Sequence, residues 1–211
     1  MARIDDYKAA CKITREELAV VPYDDIIGQS GFAGTGSAGA GDNGFQVPFL
    51  DRVYRVQYPD FSFLDDSGSE KEIPLQEQVL ILHYLRGCKD LKKSRNKWIA
   101  YREIPGASFY FAAFVKRTID PLKQVFGQNI DGFTRAADPL GGKAIEPGDA
   151  GREFLVFPHV PVQLILYAGD DEFPPEANIL FNSDIGTILL PEDVAWLAGM
   201  VVYRLMALAR A

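Results

Sequence analysis

The C-terminal third constrains the fold of this chain most strongly. Two apolar runs, at 162–167 and 177–181, are bounded by Gly and Pro, a pattern typical of paired β-strands. The acidic stretch 169–176 lies between them. A helical pattern over 191–209 follows, with large apolar side chains on nearly every face, and it predicts burial inside the domain or in a subunit interface. We expect this third to form the core around which the rest of the chain packs.

Hydrophobic periodicity over the whole chain predicts a single α+β domain, with a mainly antiparallel sheet and helices packed on it. Its strands are expected near 45–58, 98–104, 153–157, 162–168 and 177–182, and its main helices near 74–86, 108–126 and 191–209. A further helix pattern begins near Asp5 and continues to about Val20. Thr14 and Glu17 match a capping box, which predicts a break in that helix near Ile13.

The segment 28–44 is rich in glycine and contains the motif G-x-G-x-x-G at Gly34–Gly39. A dinucleotide-binding loop needs a strand before this motif and a helix after it, so that helix N–H groups reach the pyrophosphate. Residues 24–27 are too short and acidic for that strand, and residues 40–44 are poor helix formers. The segment is therefore predicted to be a flexible surface loop.

Charge and hydropathy exclude two classes of partner. The chain of 211 residues has a formal net charge of −7, which disfavours binding to the phosphate backbone of nucleic acids. A basic run at 89–97 is interpreted as a solvated connection. Arg204 interrupts the last helix, and no run of about 18 uncharged apolar residues exists, so no membrane span is predicted.

The cysteines argue against a metal centre built from thiolates. Cys11 and Cys88 are the two cysteines of the chain, and they are far apart in sequence. Iron–sulfur and structural zinc sites need about four ligands with thiolates prominent among them. No secretion leader is recognisable, so a reducing cytoplasm is the expected location. We assign no metal and no cofactor from these residues.

The acidic stretch is the most site-like part of the sequence. Asp170, Asp171, Glu172 and Glu176 could bind a hard cation through oxygen atoms, or one of them could act as a base. Mutual repulsion is expected to raise the pKa of one carboxyl group. His159 lies between two prolines at the start of a strand, which would present its ring rigidly. The alternative is a solvated loop whose charge keeps the protein soluble.

Three blocks of sequence resemble one protein family. They are PLQEQVLILHYL at 74–85, WIAYREIPG at 98–106, and GDDEFPPEA at 169–177, followed by ILF at 179–181. In this order they are similar to an uncharacterised bacterial and archaeal family, domain of unknown function 3786. The resemblance implies a cytoplasmic protein of anaerobic metabolism, in a family of which some members are joined to iron–sulfur modules. It supplies no established reaction and no assigned catalytic residues.

The leading hypothesis is therefore an accessory protein that binds a small molecule or cofactor. Its candidate ligand-binding residues are the polar ones of two segments, together with one histidine: Tyr101, Arg102, Glu103, Asp170, Asp171, Glu172, Glu176 and His159. One alternative is an interaction module without catalysis, forming a homo-oligomer or binding an iron–sulfur protein. The other is an acid/base enzyme that uses the 170–176 carboxylates with His159.

Overall fold

The computed structural model describes residues 4–35, 43–65, 72–91 and 97–210. The chain forms two compact units, Met1–Lys92 and Lys93–Ala211. Each unit combines helices with an antiparallel sheet, so the predicted α+β class is confirmed. That the whole chain behaves as one domain stays a prediction.

Two helices of the first unit pack against each other along their buried faces. They are α1 (Ile4–Leu18) and α3 (Leu75–Gly87), and the shorter α2 (Tyr23–Ser30) lies between them in sequence. The predicted break near Ile13 is wrong, since α1 is continuous. Cys11, Thr14 and Leu18 form a buried stripe on one face of α1, and burying that stripe favours an unbroken helix over a cap at Thr14.

The sheet of the first unit contains four antiparallel strands in sequence order. They are β1 (Ala33–Gly34), β2 (Gly44–Phe49), β3 (Arg52–Gln57) and β4 (Phe63–Asp65). Phe45, Val47 and Val56 are among its fully buried side chains. The prediction that residues 45–58 join the C-terminal strands is wrong, because β2 and β3 pair with their nearest neighbours in sequence.

The prediction of a flexible loop over 28–44 is wrong at both ends of the segment. Gly28 lies within α2, Gly34 ends β1, and Gly44 begins β2. Gly31 closes α2 with a φ of 73°, a left-handed conformation that favours glycine. Residues 36–42, which carry most of the G-x-G-x-x-G motif, lie outside the described residues, and so do residues 92–96 of the basic run.

The second unit is organised around a five-stranded antiparallel sheet. Its strands are β5 (Trp98–Ala100), β6 (Lys143–Ile145), β7 (Ala150–Phe157), β8 (Val160–Tyr167) and β9 (Glu176–Asn182), in the order β5-β9-β8-β7-β6. The predicted pairing of the two C-terminal apolar runs is confirmed, with Val162 opposite Phe181 and Tyr167 opposite Glu176. The strand predicted at 98–104 ends at Ala100, because Tyr101–Glu103 forms a 3₁₀ turn.

The helices of the second unit are α4 (Phe111–Arg117), α5 (Ile119–Phe126), α6 (Ile130–Ala137), α7 (Ile185–Ile188) and α8 (Pro191–Leu208). The helix predicted at 108–126 is broken at Thr118, whose hydroxyl donates to the carbonyl of Phe114 at 2.7 Å. Helix α6 was not predicted, and Asn129 caps it by accepting the N–H of Gly132 at 3.0 Å.

The predicted last helix is confirmed as a buried core element. Val194, Leu197, Ala198, Val201 and Leu205 of α8 have no accessible surface, and α8 packs on α4, α5 and α6. Among the described residues, no helix combines the length and the apolar character needed to span a bilayer.

Candidate functional site

A groove between α1 and α3 concentrates positive charge in the first unit. Lys8, Lys12 and Arg15 follow one another at intervals of four and three residues, which places them on the same face of α1. All three line a cavity beside Leu75 and Gln78 of α3. In a chain with a net charge of −7, such a local concentration of cations attracts anions to this groove.

The Arg15 guanidinium is held in place by buried groups. Its Nη2 donates a hydrogen bond to Oε1 of Gln78 at 2.9 Å, and Nε2 of Gln78 donates to the carbonyl oxygen of Ile73 at 2.9 Å. Gln78 is only 8% exposed. The guanidinium carbon also lies 5.9 Å from the centre of the Phe63 ring, within the range of a cation–π interaction. Contacts within the protein alone therefore fix the orientation of the Arg15 guanidinium.

One donor of Arg15 has no acceptor among the described residues. Its Nε is buried, and no hydrogen-bond partner for it exists in the described part of the chain. Buried donors are nearly always satisfied, by protein, water or ligand, because an unsatisfied one costs about 1–3 kcal/mol. Nε therefore marks a position where a water molecule or an oxygen of a bound molecule would be stabilised.

Two cavities meet at Arg15 and Gln78, since both of these residues line each cavity. The basic cavity has a volume of about 320 Å³ and is also lined by Lys8, Cys11 and Lys12. Glu16 also lines this cavity, and its carboxylate lies 4.0 Å from Nζ of Lys12. The volume reaches the lower end of the range found for small-molecule pockets.

The acidic cavity has a volume of about 360 Å³, and Arg15 is one of its lining residues. Asp65 and Glu72 supply its carboxylates, and Phe63 and Ile73 supply apolar surface. Lysines therefore line one of the two cavities that Arg15 contacts, and carboxylates line the other.

Cys11 in the basic cavity is not poised to act as a nucleophile. The thiol is 4% exposed, and burial raises its pKa, although the charge of Arg15 acts in the opposite direction. Its thiol is therefore protonated at neutral pH, whereas nucleophilic cysteines need a lowered pKa. The geometry supports binding in this groove rather than covalent chemistry.

A buried hydrogen-bond chain fixes α3 on the sheet next to the groove. The Tyr54 hydroxyl donates to Oε2 of Glu77, and Nη1 of Arg52 donates to the Tyr54 oxygen at 3.2 Å. Tyr54 is fully buried and Glu77 is 7% exposed. Burial, followed by the hydrogen bond to Glu77, raises the pKa of Tyr54, which keeps the phenol protonated. Gln78 follows Glu77 directly and is positioned by this rigid attachment.

The predicted site residues at 101–103 all make structural contacts in the second unit. Tyr101 is 1% exposed, stacks on Phe114 with ring centres 4.1 Å apart, and donates its hydroxyl to the carbonyl of Pro191 at 2.8 Å. Burial raises the pKa of Tyr101 to about 12. The Arg102 guanidinium covers the Phe111 ring at 3.8 Å, and Glu103 accepts the N–H of Ala100 at 2.7 Å.

The acidic turn stabilises its own backbone. Oδ1 of Asp170 accepts the N–H groups of Phe173 and Glu172 at 2.7 and 2.9 Å, and these bonds lower the pKa of Asp170. Asp170 is therefore not the carboxyl group whose pKa repulsion is expected to raise, because two hydrogen bonds stabilise its charged form. Glu176 lies 3.6 Å from Nζ of Lys123, and Asp171 is exposed.

The two predicted segments make their contacts in different places. Ile104 lies beside Gly186, which follows β9, whereas the acidic turn precedes β9 and its Gly169 donates to the carbonyl of Gly127 at 3.1 Å. A common ligand pocket for Tyr101–Glu103 and the acidic turn stays a prediction.

His159 is placed away from the acidic turn. It is exposed in the hairpin between β7 and β8, at the start of β8, while the turn follows the end of that strand. The eight residues of β8 separate the two by roughly 25 Å at about 3.3 Å per residue. His159 cannot exchange a proton directly with Asp170, Asp171 or Glu172 across that distance.

No group of three or more His, Cys, Asp or Glu residues in the described ranges could hold a metal ion.

The comparisons with known proteins identify a family but no activity. A family model described as a domain of unknown function (DUF3786) matches residues 32–204. The chain belongs to the DUF3786 family. No curated protein and no solved structure matches this sequence.

The DUF3786 match covers only part of the groove. Asp65, Glu72 and Gln78 lie within the matched residues, whereas Lys12 and Arg15 of α1 precede them. The matched region therefore supplies the carboxylates of the acidic cavity and Gln78, which fixes Arg15. Helix α1, which precedes the matched region, supplies the cations.

Sequence reasoning missed this groove because its residues come from distant parts of the chain. Arg15 and Gln78 are 63 residues apart, and nothing in the sequence pairs them. One signal was present: Lys8, Lys12 and Arg15 share a helical face in an otherwise acidic chain.

Proposed function

We propose that this protein binds a small anionic molecule, through a carboxylate or phosphate group, in the groove between α1 and α3. The single observation that carries the proposal is the Arg15 guanidinium, which is fixed by Gln78 while its buried Nε has no acceptor in the described chain. An anion oxygen at that position would satisfy Nε. Guanidinium groups bind carboxylates and phosphates with short, charge-assisted hydrogen bonds.

The surroundings of Arg15 support this assignment. Lys8 and Lys12 line the same cavity and would add long-range attraction for an anion. Arg15 is half-buried, so water and dissolved ions screen its charge less than they would screen a fully exposed charge. The contact with Arg15 therefore contributes more to the binding free energy of an anion. The protonated thiol of Cys11 adds no competing negative charge at neutral pH.

Isothermal titration calorimetry at low ionic strength tests the proposal, with inorganic phosphate, propionate and citrate as probes. We expect at least one probe to bind and its affinity to fall as salt is added. Arg15→Gln should weaken that binding about 10- to 100-fold, because it removes a charge-assisted hydrogen bond to the ligand. Arg15→Lys should retain part of the affinity, since the charge remains but the planar donors do not.

Arg86→Gln is the matched control. Arg86 also joins α3 to α1, through Oε2 of Glu17 at 3.4 Å, but it lines neither cavity. It removes the same charge between the same helices and should leave probe binding unchanged. The proposal is wrong if no probe binds at millimolar concentration, or if Arg15→Gln and Arg86→Gln have equal effects while circular dichroism shows both variants folded.

A ligand-binding accessory role in the cytoplasm agrees with the state of the cysteines. Cys11 and Cys88 are free and buried, and burial raises the pKa of Cys88 to about 12. A function in anaerobic metabolism, and an iron–sulfur protein as partner, remain predictions from the family resemblance.

A further inference from the structure

We infer that the ligand of the α1–α3 groove carries a positive group as well as a negative one, as an amino-carboxylic acid does. The inference rests on the proposed function and goes beyond it by naming the ligand class. It is based on the second cavity, whose charge differs from that of the first.

The two cavities adjoin, because they share two lining residues. Arg15 and Gln78 line each of them, and these two side chains are hydrogen-bonded to each other at 2.9 Å. A ligand whose carboxylate meets Arg15 in the basic cavity therefore contacts a side chain that also lines the acidic cavity. The volumes, about 320 and about 360 Å³, are each large enough for one end of a small molecule.

The charges on the two sides are opposite. Lys8, Lys12 and Arg15 outnumber Glu16 on the basic side, whereas Asp65 and Glu72 outnumber Arg15 on the acidic side. A ligand with two negative groups would place the second one against these carboxylates. A diamine would place one ammonium group against the lysines. A molecule with one group of each sign meets complementary charge at both ends.

The walls between the charged ends suit an aliphatic body. Leu75 lines the basic cavity, and Phe63 and Ile73 line the acidic one. Phe63 already lies under the Arg15 guanidinium, so a methylene chain passing beside Arg15 would contact its ring. Contacts of this kind contribute favourable burial of apolar surface without adding charge.

Paired titrations test the inference. The ω-amino acids from β-alanine to ε-aminocaproate are compared by calorimetry with the unsubstituted fatty acids of the same chain length. The series covers a range of charge separations, so it does not depend on knowing the distance between the cavities. At one or more lengths we expect the amino acid to bind about fivefold more tightly than the fatty acid, the gain expected for one partly exposed ion pair.

The combined variant Asp65→Asn with Glu72→Gln should abolish this preference and leave fatty-acid affinity unchanged or higher. Glu17→Gln on the exposed surface of α1 is the control, and it should keep the preference. If fatty acids bind through Arg15 and amino acids bind no better at any length, the ligand-class inference is wrong and the proposed function stands. If neither series binds and the anion probes also fail, both are wrong.

Discussion

The hydrogen bond between Arg15 and Gln78 allows the most direct physical test of the groove, by a double-mutant cycle. Gln78→Met keeps a similar side-chain length, Arg15→Met keeps only the aliphatic part of the side chain, and both remove the polar atoms. Gln78→Met removes the charge-assisted bond from Arg15, worth about 1.5–3 kcal/mol, and the neutral bond to Ile73, worth about 1 kcal/mol. Because Gln78 is only 8% exposed, water replaces these bonds poorly, and we expect a loss of about 2–4 kcal/mol.

The cycle isolates the contact between the two side chains. The broken bond to Ile73 is common to the single and the double variant, so it cancels. We expect a coupling free energy of about 1.5–2 kcal/mol, near the lower end for a charge-assisted bond because Arg15 is half-buried. Urea unfolding followed by circular dichroism gives the four free energies of unfolding by linear extrapolation.

The Arg86–Glu17 ion pair is the internal control for the cycle. It joins the same two helices at 3.4 Å, with side chains 34% and 47% exposed. Exposed pairs of this kind contribute about 0.2–1 kcal/mol, so its coupling should be the smaller of the two. A coupling for Arg15–Gln78 no larger than that of Arg86–Glu17 would refute the claim that Gln78 fixes the guanidinium, and the proposed site would lose its basis.

Three further predictions concern the rest of the chain. The pKa of Asp170 is lowered, so the stability that its charged form contributes is present above the ordinary pKa of 3.8 and is lost as the pH falls through the lower folded value. Asp170→Asn should therefore make the free energy of unfolding fall less steeply as the pH is lowered in the acid range. An unchanged slope would contradict this prediction. If the chain is one domain, thermal unfolding should show a single transition with equal calorimetric and van't Hoff enthalpies, whereas two transitions would refute the single-domain prediction. If the protein forms a homo-oligomer, the 86% exposed Phe109 is the best anchor, and Phe109→Ser should reduce the sedimentation coefficient at high concentration with little change in stability.

Local patterns predicted the elements whose residues interact with near neighbours. The β8–β9 hairpin and α8 were correct because their apolar runs are long, and turn residues or Pro191 mark their ends. The helix α3 was correct for the same reason, with Pro74 before it and Gly87 at its last position.

The errors arose where the packing of buried residues opposed a local sequence signal. Thr14 and Glu17 form a plausible cap, but the buried face that Thr14 shares with Cys11 keeps α1 continuous. The sequence patterns predict no helix at 130–137, yet the Asn129 cap and the buried Phe133 make these residues helical. In both cases tertiary packing outweighed the local preference.

The candidate site was the least predictable part. The charged residues of 101–103 and the acidic turn attract attention in the sequence, but Tyr101, Glu103 and Asp170 form hydrogen bonds that shape their own segments. The importance of Gln78 depends on its burial and on its two partners, and a sequence shows neither.

The sequence by itself determined the α+β class, the C-terminal hairpin and the buried last helix, because these follow from hydrophobic periodicity and from turn residues that act over a few positions. Only the tertiary structure decided that the strands divide into two sheets and that Arg15 meets Gln78 between two cavities of opposite charge. Such contacts join residues that are far apart along the chain. They exist only after packing has brought α1 and α3 together and has excluded water from the side chains between them.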